Sequence, residues 1–417
     1  MLKLLRPGPF RRYIIGSAIS DTGTWMQVMA QGWVMSALTN RGFYLGLASA
    51  AAGLPTILLA MKGGEAADRY DKRKILIWTQ IVQAALALVL GALVYSGRIQ
   101  IWHVIALASC LGVCIAFEMP AINALVPELV RRDEMATAIA LDRSVFHGSR
   151  LVGPSVAGLF VGWWGAASAF LTNAISFFAL MIALFTLPPR QIGTAEEEAQ
   201  RRTGFVEGLR YVRRDRTILM MVALIALTTI FVFPFLSVMM PLYVRNILQL
   251  GPIPMGNLMA VSGVGSLFGA LGLLSVPRNQ RFRFMMGAVV LVAIALFVMS
   301  RSHSFLVSAL AMAVLAIGLS SNFGLASTIV QERAPSPLRG RISAIFGLSF
   351  FGLTPVGSLI TPAFADLVGL RTALATGALC FGALAIFVLN LAGRTGCERT
   401  GTPTAEVERE AQPAAVA

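Results

Sequence analysis

"GGEAADRYDKRK", Gly63 to Lys74, carries seven charged residues in twelve positions. An uncharged stretch, Phe43 to Met61, precedes it, and another, Ile75 to Tyr95, follows it. Apolar segments of roughly twenty residues are what a helix needs to cross a bilayer core about 30 Å thick. The charged dodecapeptide is then the loop joining two membrane helices on one side of the bilayer.

The rest of the chain repeats this alternation. Of 417 residues, 56% are hydrophobic and 13% charged, with a mean hydropathy of +0.74. A soluble domain carries about 25% charged residues. The composition therefore points to lipid as the solvent. Twelve apolar runs can be drawn: 13–37, 43–62, 75–95, 101–124, 136–163, 166–187, 217–243, 255–276, 284–300, 305–328, 342–366 and 371–392. The expectation is an all-α membrane protein of twelve transmembrane helices in two six-helix bundles. Residues 1–187 would form the N-terminal bundle and 217–393 the C-terminal one. Residues 188–216, with "EEEAQRR", would be a cytoplasmic central loop, and the polar tail 394–417 a disordered cytoplasmic segment. The basic, then apolar, beginning of the chain resembles a leader, but the apolar run continues past Trp33 without a small-residue cleavage site, so it reads as an uncleaved first helix.

The net charge of +14 would suggest nucleic acid in a soluble protein. Topology explains it better. With the N-terminus cytoplasmic and the runs alternating, 27 of the 34 Lys and Arg fall in cytoplasmic segments and 5 in outer loops. Arg143 and Arg150 lie inside run 5. Such a split is a strong positive-inside signal and implies a multi-pass protein of the inner (plasma) membrane with both termini cytoplasmic. No nucleic-acid partner is needed. Cys110, Cys114, Cys380 and Cys397 show neither metal spacing nor a disulfide framework, and read as small apolar residues. No metal or cofactor is expected.

The halves echo one another. At an offset of 204, Val126, Glu128, Gly148, Gly153 and Gly165 fall on Val330, Glu332, Gly352, Gly357 and Gly369. At an offset of 210, Gly46 and Gly53 fall on Gly256 and Gly263. Parallel six-helix repeats with a substrate site between them characterise many secondary transporters.

In the opening loop, Gly63 and Gly64 are expected to end the second helix in a tight turn, and Asp68 to sit near the N-terminus of the third, where the helix dipole favours it. The pattern also resembles the signature loop between helices 2 and 3 of the major facilitator superfamily. In that family the Asp and basic residues are thought to latch the inward-closed state. The resemblance assigns such a conformational switch to Gly64, Asp68, Arg69, Lys72 and Arg73. Ala66 and Asp71 depart from the family pattern, and the second half keeps only "PRNQRFR", without an Asp.

Run 5 contains "ALDRSVFHGSRLVGPSVAG". Gly148, Gly153, Pro154, Gly158 and Gly162 form a small-residue face suited to close helix packing. It is also similar to the Gly-Pro element of exporters in the superfamily, with Ala140, Ser149 and Ala157 standing where Gly is typical. The stretches "ISDTGTWMQVMAQGWVMSALTN", "LGLASAAAGLP" and "ALVPELVRRDEMATAIAL" are similar to the enterobactin-exporter-like branch of efflux permeases through most of the first half. That resemblance implies an exporter of a small molecule such as a siderophore, drug or metabolite, and the chain is expected to act as a monomer.

Charge inside a membrane helix is costly and usually faces a cavity or the bundle interior. Asp21 in run 1, Glu118 in run 4, and Asp142, Arg143, His147 and Arg150 in run 5 are the candidates. Arg143, His147 and Arg150 share a helix face. At 1.5 Å per residue, Glu118 and Arg143 both sit at a depth of about 10 Å, so they could pair. Asp21 or Glu118 could exchange a proton against cargo. A structural ion pair with Arg143 or Arg150 is the alternative reading. Thr24, Gln27 and Gln31 recur at spacings of three and four along one face with Asp21 nearby, and Gln27 and Gln31 are expected to line a substrate cavity with Trp25 and His147, since amides are expensive against lipid. Met239, Met240 and Phe233 read as core packing.

Three function classes compete. A secondary transporter exporting a small molecule by alternating access, with H+ as coupling ion in antiport, fits best. An importer of the same fold is the alternative. A membrane-embedded enzyme lacks support, for the chain has no His-Glu-x-x-His and no Gly-x-Ser-x-Gly. It has no phosphate-binding loop ending in Gly-Lys either, so an ion gradient rather than ATP is the expected drive.

Overall fold

The computed structural model describes residue 4 and residues 6–187, 205–336 and 338–394. The expectations for the central stretch 188–204 and for the tail from 395 fall outside the described residues. Among the described residues all regular structure is helical. The first half comprises α1 (Pro9–Leu38), α2 (Gly42–Arg69), α3 (Lys72–Tyr95), α4 (Ile101–Glu128), α5 (Met135–Trp164) and α6 (Ala166–Phe185). A short helix, α7 (Phe205–Arg214), precedes α8 (Arg216–Ile247), α9 (Pro252–Gly272), α10 (Arg281–Arg301), α11 (Phe305–Arg333), α12 (Arg339–Val368) and α13 (Leu370–Arg394).

Ten of these helices are long and apolar enough to cross a membrane. The other two 30-residue helices, α1 and α5, fall short only in apolarity, because they carry Asp21, Gln27 and Gln31, and Asp142, Arg143 and Arg150. The chain's surface agrees with a lipid setting. Leu58, Trp78, Ile175, Phe185, Leu310 and Phe387 all point outward, and so broad an apolar belt would be untenable in water.

Within the first half, α1 packs on α5 and α6, and α3 on α4 and α6, while α2 lies along α4. In the second, α9 and α10 pack on α11, and α13 on α10 and α8. Two seams join the halves: α5 runs along α9, and α2 along α12. The repeat explains both. A Cβ on Gly46 of α2 would strike the Ser358 carbonyl of α12, and one on Gly256 of α9 would strike the Pro154 carbonyl of α5. Ser358 and Pro154 are themselves 204 apart. Likewise Gly53 meets Pro355, and Gly263 meets Leu151, again a pair 204 apart. The two seams are thus one contact used twice. In lipid, where apolar burial drives little association, such backbone-to-backbone approach is what holds helices together. Gly165 (φ 80°) and Gly369 (φ 89°) end α5 and α12 in a backbone region that disfavours side chains, which accounts for that repeated pair.

The seams are one-sided. They span Gly42 to Gly53 of α2 and Leu151 to Gly162 of α5, towards the face opposite the basic loops. Towards the basic loops the halves part: a Cβ on Gly148 or on Gly347 would meet nothing within 4 Å. Among the described residues the hydrogen bonds between the halves, Gly42 and Phe43 to Asp366, Ser49 to Ser358 and Arg245 to Ser36, all lie on the face opposite the basic loops, so that face is sealed and the basic face is the open one.

In α8, Pro234 and Pro241 remove two backbone donors, and the helix widens into π-helical turns at Phe235–Met239 and Tyr243–Ile247. Met239 and Met240 are buried there, as packing residues.

Candidate functional site

The first-half wall of the opening is built on α1 and α5. One face of α5 meets α1: Asp142 accepts from the Tyr13 hydroxyl at 3.1 Å, Ser149 accepts from Thr22 Oγ1 at 3.1 Å, and Gly153 abuts Trp25. Another face, with Leu151, Pro154 and Gly158, meets α9. Arg143, His147 and Arg150 lie between those faces by helical spacing, so they point into the space between the halves. Arg143 donates to Asn123 of α4, and the Arg150 guanidinium lies 5.2 Å from the centre of the Trp25 ring. No carboxylate lies within ion-pair reach of either arginine among the described residues.

The expected pairing of Glu118 with Arg143 is therefore not formed. Glu118 turns towards α3 instead and accepts from Gln80 Nε2 at 2.6 Å and Gln83 Nε2 at 2.7 Å. Gln80 in turn accepts from Ser20 of α1 at 3.1 Å. Two neutral amides supply hydrogen bonds without a counter-charge. Asp21 accepts from Ser17 one turn earlier, at 3.0 Å. Gln27 corrects a second expectation. It is 7% exposed and accepts from Asn173 of α6 at 2.8 Å, so it belongs to the α1–α6 contact rather than to a cavity wall. Gln31 and Trp25 are half-buried. Sequence reasoning missed Gln80, Gln83 and Asn123, which look like ordinary polar residues in apolar runs; their spacing of three on one face of α3 was the available signal for the two glutamines.

The signature-like loop also differs locally. Gly63 and Gly64 do not end α2, which continues to Arg69. Gly63 instead lets α2 approach the Ala116 backbone of α4. Asp71, not Asp68, starts α3, its side chain accepting from Arg73 N at 2.9 Å in the usual N-cap manner. Lys72 bridges to Glu128 of α4 at 3.2 Å, and Arg73 Nε donates to the Leu184 carbonyl of α6 at 3.2 Å. Asp68 and Arg69 are exposed. The repeat has its counterpart: Glu332, equivalent to Glu128, pairs with Arg281 at the start of α10 at 2.8 Å.

The same 204 offset carries Glu118 onto Asn322 of α11. Lys72 and Arg281 set an offset of 209 for α3 and α10, which carries Gln80 and Gln83 onto Val289 and Val292. Asn322 is fully buried, and neither of its amide atoms has a hydrogen-bond partner. The polar cage exists in one half only. The second-half wall is aromatic: Phe350 packs against Phe233 at 4.9 Å and Phe323 at 5.6 Å.

Comparison with known proteins agrees with this architecture. The family model described as transmembrane secretion effector matches residues 2–411. The multidrug efflux pump Tap of Mycolicibacterium fortuitum is 22% identical over 92% of this chain and 96% of its own length. Macrolide efflux protein A of Streptococcus pyogenes is 23% identical, covering 85% and 89%. A crystal structure of a bacterial homologue of the human lysosomal transporter Spinster, inward-facing and unoccupied, superposes with a TM-score of 0.74 at 14% identity, covering 96% of this chain and all of that one.

Proposed function

The chain belongs to the transmembrane secretion effector family of the major facilitator superfamily, and on that premise we propose that this multi-pass membrane transporter exports a small molecule by alternating access, in exchange for protons. The basic loops face the cytoplasm by the positive-inside rule. The open face is then cytoplasmic, and this is the state that loads cargo from inside. The observation that carries the reading is the one-sided pair of repeat-related seams, α2 on α12 and α5 on α9. Closing the basic face while parting those seams is a rocking of two similar bodies about a central site. The outward direction is supported by Tap and macrolide efflux protein A, both named for efflux.

Asp21 and Glu118 are the proton carriers in this reading. Both lie at the open half, and neither has a cation partner among the described residues. Gly64, Asp68, Arg69, Lys72 and Arg73 form the switch. In the present state Lys72 and Arg73 are tied within the first half, while Asp68 waits, exposed, for a partner in the closed-inward state.

The test is a resistance and secretion screen in a strain lacking the gene, with and without a protonophore. Secretion of a compound that the gene restores and the protonophore abolishes is expected. Asp21→Asn and Glu118→Gln should each lower that secretion. Unchanged secretion in both variants would remove the carboxylates from the mechanism, and gene-dependent uptake would reverse the direction.

A further inference from the structure

The two guanidinium groups and the imidazole of this face of α5 have no counterpart in the second half. At the offset of 204, Arg143, His147 and Arg150 become Gly347, Phe351 and Thr354. Phe351 is 62% exposed and packs against Phe350 at 5.2 Å, which continues into Phe233 and Phe323. One wall of the opening is thus cationic with a tryptophan, and the facing wall is a run of phenylalanines.

Neither guanidinium on this wall makes an ion pair among the described residues. The nearby carboxylates have donors of their own: Asp142 takes Tyr13, Asp21 takes Ser17, and Glu118 takes Gln80 and Gln83. Arg150 has only the face of Trp25, which leaves its planar fork of five N–H donors available. A guanidinium at this depth with no anion beside it is a costly arrangement that a bound anion relieves. Guanidinium recognises carboxylate and similar planar anions with two parallel hydrogen bonds.

We infer that the cargo is an amphipathic organic anion: a carboxylate-type group seated on Arg150, flanked by His147 and Arg143, carried on an apolar ring system that lies between Trp25 and the Phe350 cluster. Charge opposition fixes one end of the molecule, and the aromatic wall accepts the other without demanding a particular shape. This names the substrate class of the transport site and rests on the transporter reading.

The test uses the purified full chain in lipid nanodiscs and two probes with the same ring and opposite charge, 2-naphthylacetate and 2-(2-naphthyl)ethylammonium. Calorimetry should show binding of the carboxylate in clear preference to the ammonium. Arg150→Gln should weaken carboxylate binding by roughly tenfold or more, and Arg150→Lys by less, because it keeps the charge but loses the fork. Preference for the ammonium, binding of neither probe, or equal carboxylate binding by a correctly folded Arg150→Gln protein would overturn the inference. If that variant does not fold, the carboxylate-against-ammonium comparison on the unsubstituted chain decides alone. Carboxylate binding without efflux from proteoliposomes would retire the exporter reading and leave this one standing; gene-dependent efflux of ammonium compounds with no carboxylate binding would do the reverse.

Discussion

Asp366, near the end of α12, places its two carboxylate oxygens against the first peptide N–H groups of α2, 2.6 Å from Gly42 N and 2.9 Å from Phe43 N. The residue preceding α2, Arg41, supplies no side-chain cap. A helix of one half is therefore capped by a carboxylate of the other. Free N–H groups and the helix dipole make the N-terminus of α2 a natural place for an anion. Arg245 of α8 adds a second tie across the sealed face, donating to the Ser36 carbonyl of α1.

Removing the cap should loosen the seal. Asp366→Ala loses about 0.5–2 kcal/mol of capping, which shifts the balance between sealed and open outer faces by roughly two- to thirtyfold. Cysteines placed along the α2–α12 seam, for example at Ser358, should then react faster with a membrane-impermeant maleimide added from outside. An unchanged rate would mean that the cap does not hold the seal.

The repeat-related seams should respond alike. Gly46→Val and Gly256→Val each push a side chain into a carbonyl of the facing helix, an overpacking that costs about 1–3 kcal/mol or more. Both should lose transport. Gly287→Ala in α10, where a Cβ meets nothing within 4 Å, should be well tolerated. Transport that survives one seam variant and not the other would break the symmetry argument.

Asp68→Asn should impair transport without lowering stability. The side chain is exposed in the present state, so its loss should change the melting transition by no more than about 0.5 kcal/mol. If its partner belongs to the closed-inward state, the cost appears only in turnover. A variant that melts early but transports normally would contradict the assignment.

Asn322→Leu should stabilise the protein. A buried amide without partners costs about 1–3 kcal/mol, and a leucine of similar size removes that cost. Thermal unfolding in detergent reads the effect. A lower melting temperature would show that the amide is satisfied in some other state.

Much of this was legible in the chain. The apolar runs marked where the long helices lie because in lipid every span must satisfy its own backbone and so must be long and apolar. The glycine echoes were legible, and their cause emerged only with the fold: Gly46 and Gly256 each meet a backbone carbonyl of the facing helix, and Gly53 and Gly263 make room for Pro355 and Leu151. What stayed hidden was partner choice. Spacing put Glu118 and Arg143 at one depth, but depth does not fix azimuth, and Glu118 looks to α3 while Arg143 looks to Asn123. Gly63 read as part of a turn because close helix crossing and tight turning call for the same residue. Asp366 and Gly42 lie 324 residues apart, beyond any local pattern. The counterpart of Glu118, Asn322, was within reach of the 204 offset, but an amide is not the residue one looks for opposite an acid.

Alternating access is tested most directly by paired distances on the two faces. Spin labels at Arg41 and Leu367 report the sealed face, and labels at Arg69 and Arg339 the open one; all four sites are exposed. Pulsed electron resonance in nanodiscs should give two populations for each pair. Acid and the Asp366→Ala substitution should move the two pairs in opposite senses, one lengthening as the other shortens. A single fixed distance on each face, or distances that lengthen together, would contradict the rocking of two halves about a central site.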